Sequence, residues 1–329
     1  MSSLLFVYLV IVLAFVFDFT NGLHDASNSV AALIHTGILK PWLAVLWAAF
    51  FNFIAFLFFH LHVAQTIGGS LVDSSIVDSY FIMSALIGAI TFNLITTYLG
   101  LPSSSSHALI GGLVGATLAS SGMAGLKIMG LSKTLLAFLI SPVVGFLIAW
   151  LLLTWLLKKV THPYSEATNR KSRWFQLFAS AMLSLGHGGN DAQKTMGIIA
   201  VLLFSQGLLS GDFYVPLWLV ISCNFVMGLG TLVGGQRIIR TLGKRITPLD
   251  PLGGACSSMG SAVALFAATQ YGLPISTTHT VTGTVAGVGY AERKTNWPIL
   301  YRILWGWVLT IPSAALIAAL VVQFKPLFI

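Results

Sequence analysis

Charged residues are scarce in this sequence. Only 8% of its 329 residues are Asp, Glu, Lys or Arg, whereas 56% are hydrophobic, and the mean hydropathy is +0.89. A soluble domain carries about 25% charged residues, so this chain lacks the surface that a water-soluble protein needs. The composition excludes a soluble enzyme or binding module and predicts an integral membrane protein.

The alternation of apolar and polar residues that marks membrane strands is also missing, and runs of Leu, Ile, Val, Ala and Phe predict an all-α protein. We predict membrane spans at about 3–20, 42–60, 80–99, 134–157, 214–233, 251–271 and 297–323. Shorter apolar pieces lie near 26–39, 107–121, 174–185, 192–209 and 279–290. A helix of about 12–16 residues covers about 18–24 Å, less than a hydrocarbon core of about 30 Å. We therefore expect broken helices or re-entrant helical hairpins that line a polar cavity.

Cysteine is rare, and the excess of basic residues has a restricted distribution. Cys223 and Cys256 lie far apart and predict neither a disulfide scaffold nor a zinc site. The formal net charge of +8 does not predict a nucleic-acid partner, because the basic residues lie mainly in short links between spans. This distribution is typical of cytoplasmic loops in a multi-pass protein whose surroundings are the lipid bilayer.

An internal repeat divides the chain. The stretch LPSSSSH, which ends at His107, recurs as LPISTTH, which ends at His279, and GLHD before Ala26 recurs as GGND before Ala192. We predict a first transmembrane repeat at 1–157, a short basic cytoplasmic linker at 158–173 and a second repeat at 174–329. Repeats with an odd number of crossings are inverted in the membrane, an arrangement typical of secondary transporters that bind substrate near the bilayer midplane.

Two acidic residues lie in apolar surroundings at matching positions of the repeat. Asp25 and Asp191 each lie three residues after a glycine, and we interpret Gly22 and Gly188 as helix breaks. An intramembrane carboxylate costs several kcal/mol unless it is paired, hydrated or ion-bound, so we predict a functional site with both aspartates as candidate cation ligands. The alternative is that they cap half-helices. Asp18 has no counterpart and is a weaker candidate.

The repeated hydroxyl clusters indicate an anion site. A proline beside consecutive Ser or Thr can end one helix and start another, which leaves hydroxyls and free N–H groups at the new N-terminus. Such a terminus carries about half a positive charge and favours an anion. Simple capping of ordinary membrane helices is the alternative. The predicted anion contacts are Ser104, Ser105, Ser106, Ser276, Thr277 and Thr278.

Histidine and asparagine accompany these motifs. His107 and His279 end the hydroxyl clusters, and we interpret them as orienting residues, with a direct ligand role as the alternative. His24 and Asn190 occupy equivalent places beside the aspartates, and both can donate and accept hydrogen bonds. We expect the three histidines to orient the site or take part in coupling, and Asn190 to contact the substrate.

The two repeats carry different residue types at the position three residues after each aspartate. Asn28 follows Asp25 and Lys194 follows Asp191, in each case nearly on the same helix face. We predict that both contact the ligand or its cation. Lys194 either neutralises Asp191 in the empty site or contacts an anion directly, and a purely structural ion pair is the competing interpretation.

Phosphate suits a site that combines anion donors with carboxylates. Its P–OH group can donate a hydrogen bond to an aspartate, whereas sulfate has no proton to offer at neutral pH. An anion beside carboxylates also requires a cation, either a bound metal ion or a proton, and this requirement would couple transport to an ion gradient.

The two G-x-[NH]-D motifs and the two L-P-x-S-[ST]-[ST]-H motifs resemble those of the inorganic phosphate transporter (PiT) family, over essentially the whole chain. The resemblance implies an inverted repeat whose helical hairpins meet at the site, usually in a dimer. It also implies phosphate symport with protons or sodium, in some bacterial members as a metal–phosphate complex. By position, the family's motif residues are Gly22, His24, Asp25, Asn28, Gly188, Asn190, Asp191 and Lys194.

His24 departs from the asparagine that many relatives carry in the first motif. This form resembles the bacterial low-affinity branch, which is associated with proton coupling. We therefore expect a phosphate importer of the inner (plasma) membrane, with H⁺ favoured over Na⁺ as the coupling ion, no cofactor, and a homodimeric assembly.

Other functions stay open at this point. The first is a sodium-coupled phosphate symporter, and the second is a permease for sulfate or another oxyanion. An intramembrane enzyme and a phosphate sensor are remote alternatives, and no H-E-x-x-H pattern for a catalytic metal is present.

Overall fold

A computed structural model describes residues 3–159, 166–234, 238–239 and 241–325. These residues form helices joined by short links, which confirms the all-α fold class. In chain order the helices are α1 (Ser3–His35), α2 (Pro41–Ile54), α3 (His62–Ser70), α4 (Ser79–Leu99), α5 (Ser105–Ser121), α6 (Ile128–Lys159), α7 (Glu166–Ser205), α8 (Leu217–Val233), α9 (Pro251–Gln270), α10 (Thr277–Glu292) and α11 (Trp297–Gln323).

Six helices among the described residues are long and apolar enough to cross a membrane. The bent pair formed by α2, its following 3₁₀ turn and α3 makes up to seven. α6 and α11 carry many exposed apolar side chains, among them Leu139 and Trp305. Side chains of this kind face lipid in a membrane protein, and the chain is therefore a multi-pass membrane protein.

The predicted helix breaks at Gly22 and Gly188 are wrong. α1 and α7 run without interruption through these positions, so the pieces predicted at 3–20 with 26–39, and at 174–185 with 192–209, are single helices. A side chain at Gly22 would collide with the carbonyl oxygen of Met227, and one at Gly188 with that of Asn52. The glycines therefore permit close approach of α8 to α1 and of α2 to α7. A single glycine costs a helix only about 1 kcal/mol, which tertiary packing offsets.

Other boundaries also differ from the predictions. The span predicted at 42–60 ends as α2 at Ile54, and α3 leaves it at an angle of 78°. α6 begins at Ile128 rather than near 134 and retains Pro142 in its interior. The predicted linker 158–173 is largely helical at its ends, because α6 continues to Lys159 and α7 begins at Glu166; residues 160–165 lie outside the described residues.

The inverted relation of the repeats is visible where equivalent helices meet. On α1 and α7, Thr195 donates to Asp18 while Ser180 donates to Ser29, so the two helices cross antiparallel. α2 and α8 are antiparallel in the same way, since Gly228 approaches Ala49 and Gly234 approaches Val45. The exact bounds of the two repeats stay a prediction.

Two helical hairpins bring the hydroxyl clusters together, as the sequence predicts. One hairpin consists of α4 and α5 and the other of α9 and α10, with the motif residues in the turns. The Oγ of Ser106 donates to the carbonyl oxygen of Ile275 at 3.3 Å, so the two tips touch. The N-termini of α5 and α10 therefore point at the same region.

Each hairpin packs against the last helix of the other repeat. Gly111 of α5 lies against the carbonyl of Ile311 in α11, and Gly283 of α10 lies against the carbonyl of Pro142 in α6. Gly115 and Gly287 make the equivalent contacts one turn later. Each hairpin is therefore held by a helix of the opposite repeat, through close packing at these glycines.

Candidate binding site

The two predicted aspartates meet where α1 crosses α7. Asp25 and Asp191 are 2% and 0% exposed, and their carboxylates lie with a ring nitrogen of His187 in a group whose ligand atoms are all within 4.8 Å of one another. The tip of the second hairpin contacts both aspartates, through Thr277 and Thr278, and the tip of the first reaches the group through Lys194. The structure thus gathers residues that lie more than 160 positions apart in the sequence.

Asp25 and its partners form what we term the α1 half-site. Its Oδ1 lies 2.6 Å from the Nδ1 of His24 and accepts a hydrogen bond from Thr278 at 3.2 Å. Asn28, one turn along α1, donates to the same Thr278 hydroxyl at 3.0 Å. The helix of one repeat therefore binds the hairpin tip of the other.

Asp191 and its partners form the equivalent α7 half-site. Lys194 Nζ donates to Asp191 Oδ1 at 2.5 Å, and Thr277 donates to the same oxygen at 3.1 Å. The ammonium also donates to Ser106 Oγ at 2.5 Å and to the carbonyl oxygen of Ile275 at 2.7 Å. All of these side chains are buried.

Within each hydroxyl cluster one residue caps the following helix, and the next residues face the half-sites. Ser104 is the N-cap of α5 and accepts from the backbone N–H of His107, and Ser276 is the N-cap of α10 and accepts from that of His279. The capping alternative therefore holds for the first hydroxyl of each cluster. The hydroxyls that follow contact the half-sites, except that of Ser105, which is buried and has no partner among the described residues.

His107 and His279 pack behind the tips. Their ring centroids are 4.2 Å apart, His107 stacks on Phe138 at 4.0 Å and His279 stacks on Trp307 at 3.6 Å. The four rings connect both hairpins to α6 and α11. This geometry agrees with an orienting role.

His24 and Asn190 connect the long helices to the hairpin turns. The Nε2 of His24 lies 3.1 Å from the hydroxyl of Ser103 before α5. Asn190 donates to Thr269 at 3.0 Å and to the carbonyl of Leu273 at 3.1 Å, both next to the second turn. Equivalent residues thus fix equivalent turns, although one is a histidine and the other an asparagine.

Sequence reasoning missed His187. Its Nε2 lies 3.4 Å from Asp191 Oδ2, and its Nδ1 lies 3.2 Å from the Oδ1 of Asn52, which in turn donates to Thr231. The available signal was its position: it directly precedes the GGND motif, four residues before Asp191, and therefore lies on the same helix face. Its counterpart at the same place in the first repeat is Asn21, so the motif comparison did not reveal it.

Asp18 lies two turns from Asp25 on the same face of α1. It is 0% exposed, and its Oδ1 accepts a hydrogen bond from Thr195 at 2.9 Å. Because Thr195 is one turn beyond Asp191, the polar region continues along the crossing of the two long helices.

Several buried polar atoms of the site have no hydrogen-bond partner among the described residues. They include Asp191 Oδ2, Asn28 Oδ1, Asn190 Oδ1 and Ser105 Oγ. Buried polar groups in folded proteins are nearly always hydrogen-bonded, so these atoms are suited to bind a polar ligand. Carboxylate oxygens, hydroxyls and an imidazole can hold a cation, while the helix N-termini favour an anion.

Comparisons with known proteins agree with this geometry. The profile of the phosphate transporter family matches residues 21–318. A probable low-affinity inorganic phosphate transporter of Rhizobium meliloti is 54% identical, with 94% of this chain and 93% of the relative covered. A protein of the same description from Bacillus subtilis is 38% identical, with 96% of each chain covered.

A solved structure has the same fold. It is described as the sodium-dependent phosphate transporter, is 25% identical, and superimposes with a TM-score of 0.88 over 98% of this chain and 100% of the other. The relatives are transporters, which excludes the intramembrane enzyme. Motifs, inverted repeat, paired hairpins and near full-length similarity thus all agree, and the chain belongs to the phosphate transporter family.

Proposed function

We propose that the protein imports inorganic phosphate together with a cation, by alternating access, with the proton as the favoured coupling ion. The observation that carries the proposal is the convergence of Asp25, Asp191 and His187 with the N-termini of α5 and α10. An anion site and a cation site then share one buried region, and each ligand offsets the charge of the other.

Phosphate lies between the hairpin tips in this proposal. The hydroxyls of Ser105, Ser106, Thr277 and Thr278 donate to its oxygens, together with backbone N–H groups at the two helix N-termini. Ser104 and Ser276 hold these termini in shape through their capping bonds. The P–OH of phosphate donates to a carboxylate, which explains a preference over sulfate.

The coupling cation binds at the carboxylates. Asp25 and Asp191 hold it, while Asn28 and Asn190 orient the surrounding polar groups. The chain carries His24 beside Asp25, and the 2.6 Å contact between them supplies a group that can exchange a proton with the carboxylate. Sodium is the second candidate for the coupling ion. The observation in its support is that the similar solved structure is described as sodium-dependent.

The proposal also includes the membrane location and the oligomeric state of the protein. The apolar faces of α6 and α11 place the protein in a lipid bilayer, and we assign it to the inner (plasma) membrane as a homodimer. Its partners are then inorganic phosphate, the coupling cation and lipid, with no nucleic acid.

Uptake of labelled phosphate into liposomes tests this function. The purified protein is reconstituted, and an inward gradient of either protons or sodium is imposed, with and without a divalent metal ion. We expect accumulation driven by the proton gradient and competition by arsenate but not by sulfate, because arsenate also carries a proton. Absence of uptake under both gradients, or equal competition by sulfate, would refute the proposal.

A further inference from the structure

The two half-sites differ in one charge. Asn28 and Lys194 each lie three residues beyond the aspartate of their repeat, and each contacts the hydroxyl at the equivalent position of the opposite hairpin. Asn28 is neutral, whereas Lys194 carries an ammonium group. At this position the inverted symmetry of the site is therefore broken in charge.

The ligands of the Lys194 ammonium are those of a bound cation. It donates to a carboxylate oxygen of Asp191, to the hydroxyl of Ser106 and to the main-chain carbonyl of Ile275, at 2.5–2.7 Å. These oxygens belong to α7, to α5 and to the turn before α10. Backbone carbonyl oxygens at broken helices coordinate Na⁺ in transporters, and carboxylate and carbonyl oxygens are common ligands of hard cations in general.

The two simpler interpretations of Lys194 explain less. A structural ion pair requires Asp191 but does not require the contacts with both hairpin tips. An anion-binding lysine would point its donors at the anion, yet one of its donors goes to the carbonyl of Ile275, which repels an anion. Lys194 is only 2% exposed, so its ammonium has exchanged water for these three oxygens.

We propose that the Lys194 ammonium is a covalently attached substitute for a transported cation. It fills the cation position of the α7 half-site, so a mobile cation binds only in the α1 half-site, where Asn28 leaves room for it. The inference rests on the proposed symport. It implies that this chain moves one cation fewer per phosphate than it would with asparagine at both positions.

The variant Lys194→Asn tests the proposal, since it gives the α7 half-site the residue of the α1 half-site. The cation-to-phosphate ratio is measured in liposomes from the membrane potential at which net phosphate flux reverses. We expect the ratio of Lys194→Asn to exceed that of the unchanged protein by one, and Lys194→Arg, which keeps the charge, to retain the original ratio. An active Lys194→Asn protein with an unchanged ratio would overturn the proposal.

A binding measurement covers the case in which Lys194→Asn does not transport. The thermal unfolding of the detergent-purified variant is compared in sodium chloride and choline chloride, each at neutral and at lowered pH. We expect sodium or acid to stabilise Lys194→Asn more than it stabilises the unchanged protein, because the variant offers a second cation position and the unchanged protein only one. Equal stability of the variant in all four conditions contradicts the proposal.

A second variant decides the question if Lys194→Asn cannot be purified. Asn28→Lys places an ammonium beside Asp25, and we expect it to lower the cation-to-phosphate ratio by one or, if no mobile cation remains, to make phosphate flux independent of the cation gradient. Flux that keeps the original ratio, or a variant that loses all phosphate flux while remaining folded, contradicts the proposal. Failure of the unchanged protein to transport phosphate would instead refute the symport itself.

Discussion

At the residue scale, the proposed mechanism depends on two buried carboxylates. Asp25 and Asp191 come from equivalent places in the repeat but have different partners, a histidine in one half-site and a lysine in the other. A carboxylate in such a position is stable only with a cation or with hydrogen-bond donors close to it. In the proposed cycle, each aspartate therefore needs a cation or hydrogen-bond donors beside it in every state.

Neutralising either aspartate should strongly reduce phosphate transport. Asp25→Asn and Asp191→Asn preserve the size of the side chain but remove the charge that attracts the cation. A hydrogen bond to a charged group contributes about 1.5–3 kcal/mol, so we expect phosphate uptake to fall about 10- to 100-fold or more in cells that lack other phosphate transporters. Amounts of protein in the membrane are measured by immunoblot.

Asp212→Asn is the matched control for these variants. Asp212 is exposed in the link between α7 and α8, and its replacement should leave uptake unchanged. Normal uptake by either Asp25→Asn or Asp191→Asn would contradict the assignment of these residues to the site.

His187 extends the site beyond the motifs, and its replacement should weaken transport without abolishing it. His187→Ala removes the contact with Asn52 and the ring nitrogen near Asp191. A neutral hydrogen bond contributes about 0.5–1.5 kcal/mol, so we expect uptake to fall about two- to tenfold in liposomes. His62→Ala, at an exposed position of α3, is the control, and equal uptake by both variants would contradict a role for His187.

The sequence marked most of the residues that the structure brings together, but it did not predict the contacts between them. The duplicated motifs marked Asp25, Asp191 and the hydroxyl clusters because repetition distinguishes function from chance. His187 was missed because its counterpart in the first repeat is an asparagine, so no duplicated pattern marked it. The contact between Lys194 and Ile275 depends on how two hairpins from different repeats meet, and no local pattern encodes that.

At the scale of helices, the interpretation of two glycines as helix breaks is wrong. The sequence predicted helix breaks at Gly22 and Gly188, but both glycines allow a neighbouring backbone to approach. Local propensity cannot distinguish these roles, because the neighbour that requires the missing side chain belongs to another part of the chain. The hairpins were predicted correctly because proline and consecutive hydroxyls define a helix start locally.

The packing of the hairpins gives a prediction for stability. Gly283→Ala should place a methyl group against the carbonyl of Pro142, and such overpacking costs about 1–3 kcal/mol. We expect a lower thermal unfolding midpoint in detergent. Gly306→Ala in α11 is the control, because nothing lies within 4 Å of the added carbon and alanine is the better helix former by about 1 kcal/mol. A Gly283→Ala protein as stable as Gly306→Ala would contradict the proposed role of the glycines.

The whole molecule is an inverted repeat in which each half completes the other. α1 of the first repeat binds Thr278 in the second hairpin, and α7 of the second repeat binds Ser106 in the first hairpin. Neither half contains a full site. A sequence comparison of the halves predicts the inversion, but it does not predict the exchange of partners, since that depends on the crossing of α1 and α7.

This exchange provides a physical basis for alternating access. The hairpin tips touch through Ser106 and Ile275, so opening the site from one side requires one hairpin to move relative to the long helix of the other repeat. The hydroxyls that bind phosphate in the proposal lie on these two hairpins, so their positions would change when either repeat moves. In the proposed mechanism, ligand binding and the movement of the repeats then depend on the same contacts.

The position of the bound anion tests the central claim most directly. Arsenate has the shape and the proton of phosphate, and its arsenic atom scatters X-rays anomalously, so crystals of the protein grown with arsenate reveal where the anion binds. We predict a single strong anomalous peak between the N-termini of α5 and α10, within hydrogen-bonding distance of the hydroxyls of Ser106 and Thr278 and next to the carboxylates of Asp25 and Asp191. A peak elsewhere in the protein, with none between the hairpin tips, would contradict the account.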